Sequence, residues 1–310
     1  MKNKQFIFGL LLNGLIAQSG SNQIVVEETM FMDAPYVGEI TTTNIKYAAD
    51  GLYREETQME VGSFFIRMAM GGNQKYGSIL DGKNELRTVY NLKEEEYAQE
   101  NFEGIRNNDG APTLKGMENS FGRGGGNSNQ NNNDSEEDES DDNGGEDESN
   151  DNNEVNSGFE RTISDNSEEI AGFKATKVTT KMMGNQGPVL IEEWFTTDTT
   201  LFQYVSDMKT ELVVSYGGEN QQSPRSFSEM MLTNQGHEFE SIDGRMVKYK
   251  MERKDEDDDD GFTMLWQIKS AKKMPFNRSD FELPKDHKNC LLYTSPSPRD
   301  LSTSRMPSSA

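Results

Sequence analysis

Hydrophobic and polar residues alternate along much of the chain, with the two-residue period of a β-strand that has one buried face. The pattern runs through Tyr36–Tyr47, Gly62–Gly71, Lys174–Met183 and Pro188–Asp198. The first of these segments is rich in the β-branched residues Thr, Ile and Val, which pack well on a pleated surface. We predict that each of the four segments is a strand.

Two further pairs of apolar runs are joined by polar turns and predict β-hairpins. Asp81-Gly82 lies between the first two runs, and this dipeptide favours a tight hairpin turn. The second pair flanks the acidic run Asp255–Asp260. Apolar side chains that alternate with polar or charged ones form one face of that hairpin, at Val247, Tyr249, Met251, Phe262, Met264, Trp266 and Ile268.

Between these hairpins the period changes to that of a helix. Thr199–Val214 carries apolar residues along one helical face. A second helix is predicted after Ser223-Pro224, because proline suits the first helical turn and Ser226 with Glu229 fits a capping box. The fold class is therefore mainly β within an α+β arrangement, with an antiparallel sheet and one or two short helices late in the chain.

Residues 120–157 contain almost no apolar side chains, so this segment cannot bury enough surface to offset the entropy of ordering it. We predict a disordered acidic insertion within one domain, whose two parts are residues 20–119 and 158–289. Calcium binding is the functional alternative, because hard cations prefer clustered carboxylates. The run nevertheless lacks the fixed glycine and carboxylate spacing of an ordered calcium loop.

The first 19 residues have the composition of a secretory signal peptide. Lys2 and Lys4 precede an apolar run from Phe6 to Ile16, which is too short to span a bilayer. We expect cleavage between Ala17 and Gly20 and export, most simply to the periplasm of a Gram-negative bacterium, with secretion as the alternative destination. A buried N-terminal helix and an uncleaved anchor are the alternatives. The cleavage region has no cysteine for a lipid anchor.

Residues Cys290–Ala310, with the sequence CLLYTSPSPRDLSTSRMPSSA, resemble the translation of a sequencing-library adapter. A Ser/Pro-rich disordered tail is the alternative. We expect the native sequence to be represented only as far as about Asn289 and exclude the tail from fold reasoning. Because Cys290 is the single cysteine of the chain, the remainder has neither a disulfide framework nor a thiol nucleophile.

The formal net charge of −23 argues against nucleic-acid binding, because an acidic protein repels phosphate backbones. The charge is uneven. Asp134–Glu154 holds 12 acidic residues and Asp255–Asp260 holds six, without an intervening Lys or Arg. The acidity therefore belongs mainly to two loops, which are either solvated or contact a cationic partner.

Signatures of catalysis are missing from the sequence. The two histidines, His237 and His287, have no partner at metal-ligand spacing, and no G-x-S-x-G nucleophile motif occurs. Glu192-Glu193 are adjacent carboxylates, but neighbours in a strand point to opposite faces. The sequence therefore predicts a non-enzymatic protein without a cofactor or metal site.

The chain is rich in soft apolar side chains, with 17 methionines and 16 phenylalanines. Methionine adapts to irregular shapes and recurs at promiscuous apolar surfaces. Residues expected on strands form a candidate cavity lining for an apolar ligand, and ordinary core packing is the alternative for each of them: Phe65, Met68, Met182, Phe195, Met264 and Trp266.

The order of these elements, and short motifs within them, resemble a known group of proteins. The motifs are Gly51 with Arg54-Glu55, Ile170-Ala171-Gly172, Trp194–Asp198 and Phe281–Pro284. They resemble the uncharacterised exported bacterial proteins grouped with the LolA/LolB-like superfamily of lipoprotein-carrier-like half-barrels. The resemblance covers roughly residues 36–285, apart from the acidic insertion.

The resemblance implies a strongly curved antiparallel half-barrel with helices on its concave side. Characterised members of the superfamily hold lipid or lipoprotein acyl chains in the apolar cavity of that fold. The implied function is a periplasmic protein that binds an acyl chain or another apolar ligand. The alternative is a cell-envelope interaction protein whose acidic loops contact a cationic or calcium-bridged partner. The sequence determines neither the ligand nor the oligomeric state.

Overall fold

The computed structural model describes residues 21–69, 71–114, 158–184, 187–219, 226–234, 237, 239–253 and 261–290. The strands are β1 Asn22–Ala34, β2 Gly38–Ala49, β3 Leu52–Val61, β4 Gln74–Asp81, β5 Leu86–Asn91, β6 Glu96–Asn101, β7 Glu160–Ile170, β8 Phe173–Gly184, β9 Gly187–Thr196, β10 Arg245–Arg253, β11 Phe262–Pro275 and β12 Lys288–Asn289. The helices are α1 Phe64–Ala69, α2 Phe102–Arg106, α3 Thr200–Ser215 and α4 Phe227–Asn234, and a 3₁₀ helix spans Arg278–Phe281. The predicted signal peptide, the acidic insertion, the run Asp255–Asp260 and residues 291–310 lie outside the described residues.

All twelve of these strands belong to one sheet, in the order β12-β6-β5-β4-β3-β2-β1-β11-β10-β9-β8-β7. Neighbouring strands are antiparallel except for β12, which pairs with β6 in parallel. The sheet is large, open and curved, and it does not close into a barrel. The predicted fold class, a mainly β protein with a curved antiparallel sheet and few helices, is therefore confirmed.

The hairpins follow from their turn residues. Ala171 and Gly172 join β7 to β8 with positive φ angles of 53° and 87°, as expected where two residues reverse the chain between twisted strands. Asp81 ends β4 and its carboxylate accepts a hydrogen bond from the Asn84 amide at 3.0 Å, which fixes the turn into β5. The predicted hairpin at Asp81-Gly82 and the β10–β11 hairpin are both present.

One strand prediction is wrong. Residues Phe64–Ala69, within the expected strand Gly62–Gly71, form helix α1. Among the described strands, none is left for this segment to pair with, because β3 already pairs with β4 as far as Met59 opposite Gln74. The backbone therefore bonds locally, and the Arg67 amide donates to the Ser63 carbonyl at 2.9 Å. The alternation of large side chains in this segment therefore does not correspond to a buried face of a strand.

Helices α3 and α4 both cover the same face of the sheet, which we call the inner face. Helix α3 lies across β1–β4 and β11. Its buried side chains pack with inner-face residues of those strands in one core: Phe202, Val205, Met208 and Leu212 with Ile24, Val26, Ala48, Tyr53 and Leu80. Helix α4 lies at the other end, where Leu232 packs with Met182, Val189 and Ile191 of β8 and β9.

The C-terminal segment covers part of the opposite, outer face. Phe281 is buried against Ala49 and Leu52, and the chain then reaches the sheet edge as β12. Arg54 lies beneath this segment and donates hydrogen bonds to the Asp280 carbonyl at 3.0 Å and to the Tyr90 hydroxyl at 2.8 Å. These contacts give the Arg54 side chain a structural role.

Candidate functional site

The inner face carries a row of apolar side chains between the two helices. Met251 of β10 lies opposite Met264 of β11, which lies opposite Met32 of β1. Met32 in turn lies opposite Ile40 of β2. Residues directly opposite in antiparallel strands place their side chains on the same face. Four neighbouring strands therefore present a continuous apolar row.

A second row lies beside the first, two residues further along each strand. Tyr249 of β10 lies opposite Trp266 of β11, which lies opposite Met30 of β1. We call the two rows together the Met–aromatic strip, which consists of Met30, Met32, Ile40, Tyr249, Met251, Met264 and Trp266. All seven residues are half-buried. With strands about 4.8 Å apart, the strip is roughly 14 Å long, similar to the hydrocarbon depth of about 15 Å in one bilayer leaflet.

Ring stacking connects the strip to helix α4. Phe227, at the start of α4, stacks on Tyr249 with ring centroids 5.7 Å apart and planes 6° from parallel. Tyr249 stacks in turn on Trp266 at 6.1 Å and 18°. The Tyr249 hydroxyl donates to the Met264 sulfur at 2.6 Å. Burial and then the Glu193 carboxylate raise the pKa of Tyr249, so this hydroxyl stays protonated and remains a donor at neutral pH.

A buried carboxylate fixes the beginning of α4. Glu193 of β9 is fully buried and accepts hydrogen bonds from the Ser226 hydroxyl at 3.0 Å, the Phe227 amide at 2.6 Å and the Ser228 hydroxyl. Ser226 also accepts from the Glu229 amide at 3.0 Å, which is the N-cap bond of the predicted capping box. The Glu229 side chain instead reaches Arg161, so only this half of the box forms.

Polar pairs border the strip on the α3 side. Lys46 pairs with Glu28 at 2.8 Å, and the Thr57 hydroxyl donates to the Asn44 amide oxygen at 2.8 Å. Lys209 of α3 pairs with Glu55 at 2.9 Å. The strip also meets the core beneath α3, because Trp266 packs against that core.

The strip ends near the β1–β2 turn. A cavity of about 340 Å³ lies there, lined by Asp33, Ala34, Pro35, Tyr36, Val37, Gly38, Ser63 and Gly261. Two exposed aromatic side chains lie at this cavity. Tyr36 is in the turn and lines it, and Phe64 of α1 follows the lining residue Ser63. The inner face therefore has an apolar centre between two helices.

The structure brings some of the six predicted site residues together and separates others. Met264 and Trp266 lie in the strip. Met182 is buried beneath Leu232 of α4, and Phe195 is buried near the end of β9. Phe65 and Met68 are on α1 rather than on a strand, with exposed fractions of 76% and 65%.

Sequence reasoning missed several strip residues. Met30 and Met32 lie in β1, and Ile40 lies in β2, within the long strands that the strip crosses. The alternation of β1, with Ile24, Val26, Met30 and Met32 on one face, was a signal that could have identified them.

The adjacent carboxylates Glu192 and Glu193 have different surroundings. Glu192 pairs with Lys177 at 2.5 Å, whereas Glu193 holds α4. This is the opposite-face arrangement expected of strand neighbours. In the part of the chain that the structure describes, no group of three or more His, Cys, Asp or Glu side chains is placed to hold a metal ion.

Across the same described ranges, no helix has the length and apolar character needed to cross a membrane. No protein-family model and no curated protein matches the chain. Among solved structures, the chain is similar to the crystal structure of LolA superfamily protein NE2245 from Nitrosomonas europaea. The identity is 9%, the match covers 86% of this chain and 91% of that chain, and the TM-score is 0.20. At this TM-score, the description of the fold rests on the sheet itself.

Proposed function

We propose that this protein is a non-enzymatic, exported binding protein that holds an acyl chain or a similar apolar ligand on the Met–aromatic strip. The observation that supports this is the strip itself. Seven apolar residues from four strands form one continuous, half-buried surface with α4 at one side. Export is inferred from the signal-peptide pattern of the first 19 residues.

The size of the strip suits a single hydrocarbon chain. A chain that buries about ten methylene groups gains roughly 8 kcal/mol, at about 0.8 kcal/mol for each group. Several kcal/mol of this are lost when ligand and protein are ordered on binding. The net affinity is then modest. Methionine and stacked aromatic side chains adapt to chains of different shape.

Tryptophan fluorescence tests this proposal directly, because the chain has only two tryptophans and Trp266 lies in the strip. In a Trp194→Phe variant, a fatty chain that carries bromine should quench Trp266. In the matched Trp266→Phe variant, the same ligand should leave Trp194 unquenched, because Trp194 is buried between Lys177 and Lys248 outside the strip. Equal quenching in both variants would contradict binding at the strip.

A pair of substitutions on one strand provides the control for retained lipid. Met264→Glu places a charge in the strip, whereas Met274→Glu changes an exposed residue ten positions further along β11. We expect native mass spectra of protein purified from a bacterial periplasm to show bound lipid in the wild type and in Met274→Glu. Met264→Glu should lose it. A wild type free of lipid that also fails to bind added chains would overturn the proposal.

A further inference from the structure

The first row of the strip, which contains Met251 and Met264, continues across the sheet beneath α4. It ends there in polar residues. Beyond Met251, the opposite residues are Ile191 of β9, Thr180 of β8 and Arg161 of β7. The Arg161 side chain is 8% exposed and Thr180 is fully buried. One row of side chains thus passes from a buried cation and a hydroxyl to the half-buried apolar strip.

These two polar residues are incompletely satisfied. The Arg161 Nε and Nη1 atoms and the Thr180 Oγ1 atom are buried without a hydrogen-bond partner among the residues that the structure describes. Arg161 uses only Nη2, which pairs with Glu229 at 3.1 Å, and the Phe239 ring covers its guanidinium at 5.3 Å. Buried donors without partners are uncommon in native proteins, and leaving them so is unfavourable. Here they occur on directly opposite residues of neighbouring strands.

The surrounding charges restrict what these donors can bind. Arg161 is already neutralised by Glu229, and a second buried carboxylate, Glu193, lies two residues from Ile191 on the same face. A further negative charge would be desolvated beside two carboxylates, which is strongly unfavourable. An uncharged acceptor oxygen satisfies the free N–H and O–H groups without that penalty.

We propose that Arg161 and Thr180 form a subsite for a neutral carbonyl oxygen, so that the ligand of the strip is an acyl ester or amide rather than a free fatty acid. This inference rests on the function proposed above. The carbonyl lies between α4 and β8, and the hydrocarbon chain follows the row over Ile191 towards Met251 and Met264. Helix α4 must move away from the sheet to admit the head group, and the Glu193 contacts position it again afterwards.

The test compares two ligands that carry the same brominated chain, a monoacylglycerol and the free fatty acid, at pH 8. Binding of each is measured by quenching of Trp266 fluorescence in the full-length Trp194→Phe protein. We expect the ester to bind at least about tenfold more tightly. Thr180→Val should weaken ester binding by roughly two- to tenfold, the effect of one hydrogen bond. Arg161→Lys retains the ion pair with Glu229 but lacks the free Nε and Nη1 donors, and should act similarly.

The control is Thr179→Val, which removes a hydroxyl on the other face of the same strand and should leave ester affinity unchanged. Thr180→Val should melt no lower than the parent protein, since the Thr180 hydroxyl has no hydrogen-bond partner in the described part of the chain. Unchanged ester affinity in both Thr180→Val and Arg161→Lys, or tighter binding of the fatty acid, overturns the subsite and leaves the proposed function intact. Absence of quenching by either ligand overturns both.

Discussion

The two ends of the inner face differ in how their polar groups are satisfied. Beneath α3, Lys46 pairs with Glu28 and Lys209 pairs with Glu55, at 2.8 and 2.9 Å. Beneath α4, Arg161 has one ionic partner, and two of its nitrogens have no partner among the residues that the structure describes. The Trp194 Nε1 atom of the α3 core also lacks a partner among the described residues, but the charged side chains at that end are paired. At the α4 end, a charged side chain, Arg161, keeps buried donors without partners in the described part of the chain.

The two helices also differ in how they are held. Helix α3 buries four large side chains in the main core, including Phe202 and Leu212. Helix α4 is half as long, buries Leu232, and depends on hydrogen bonds from its first turn to Glu193. A helix held mainly by its first turn can open locally. Elements that move when a ligand binds usually belong to regions of low local stability. We therefore infer that α3 stabilises the sheet and that α4 is the helix that moves in the binding function proposed above.

The largest expected effect comes from the α3 core. Phe202 is buried against Phe173 with ring centroids 4.8 Å apart. Phe202→Ala should lower the free energy of unfolding of the whole domain by about 3–5 kcal/mol, because it removes the ring and leaves a cavity. Denaturant titration measures this loss. Tyr204→Ala, at an exposed position on the same helix, should cost less than about 1 kcal/mol, and an equal loss in both variants would contradict a packing role for Phe202.

A smaller and more local effect is expected at α4. Glu193→Gln keeps one acceptor oxygen but introduces an NH₂ group facing the Phe227 and Ser228 donors. We expect a loss of about 2 kcal/mol, the range of a hydrogen bond to a charged group. Hydrogen exchange should show this loss at the α4 amides while the α3 amides remain protected.

Glu192→Gln is the matched control, because Glu192 adjoins Glu193 but pairs with Lys177 outside the α4 contacts. It should leave α4 exchange unchanged. If Glu193→Gln accelerated exchange equally in α3 and α4, the two helices would form one cooperative unit and the contrast between them would be wrong.

The sequence predicted the sheet well where periodicity and turn chemistry agree. The β10–β11 hairpin alternates in sequence and pairs as expected, with Tyr249 opposite Trp266. Helix α1 was missed because the alternation of Phe64–Ala69 reproduces a strand pattern, and whether a partner strand is available cannot be read from that pattern. Helix α2 is five residues long, which is too short to produce a helical period.

The candidate site could be predicted only in part, because the sequence does not show which residues of distant strands lie opposite each other. Met264 and Trp266 could be assigned to one face from their own strand, but their neighbours Met30 and Met32 are more than 200 positions earlier in the chain. The unpartnered groups of Arg161 and Thr180 could not be predicted at all. Their state depends on which donors α4 and the β7–β8 pairing leave unsatisfied, and this is a property of the folded structure.

The smallest expected effect concerns the paired charges at the α3 end, and it depends on pH. Burial tends to raise the pKa of Glu55, but the charges of Lys209 and Lys46 outweigh burial and lower that pKa below its ordinary value of 4.5. A carboxyl whose pKa is lowered by folding stabilises the protein above its unfolded pKa. This contribution is lost as the pH falls below about 4.5 and through the lower folded pKa.

Lys209→Met should therefore reduce the free energy of unfolding by less than about 1 kcal/mol at pH 7, because Lys209 is about half exposed. Removing this cation raises the pKa of Glu55, so the difference from the wild type should shrink as Glu55 becomes protonated below pH 4.5. Denaturant titrations between pH 7 and pH 3 measure this difference in the free energy of unfolding. In a Glu55→Gln background, Lys209→Met should show little pH dependence.

The Lys209 ammonium group also lies over the Tyr53 ring at 5.4 Å. A difference that stayed constant with pH would assign the role of Lys209 to that ring contact and would weaken the argument that paired charges distinguish the α3 end from the α4 end.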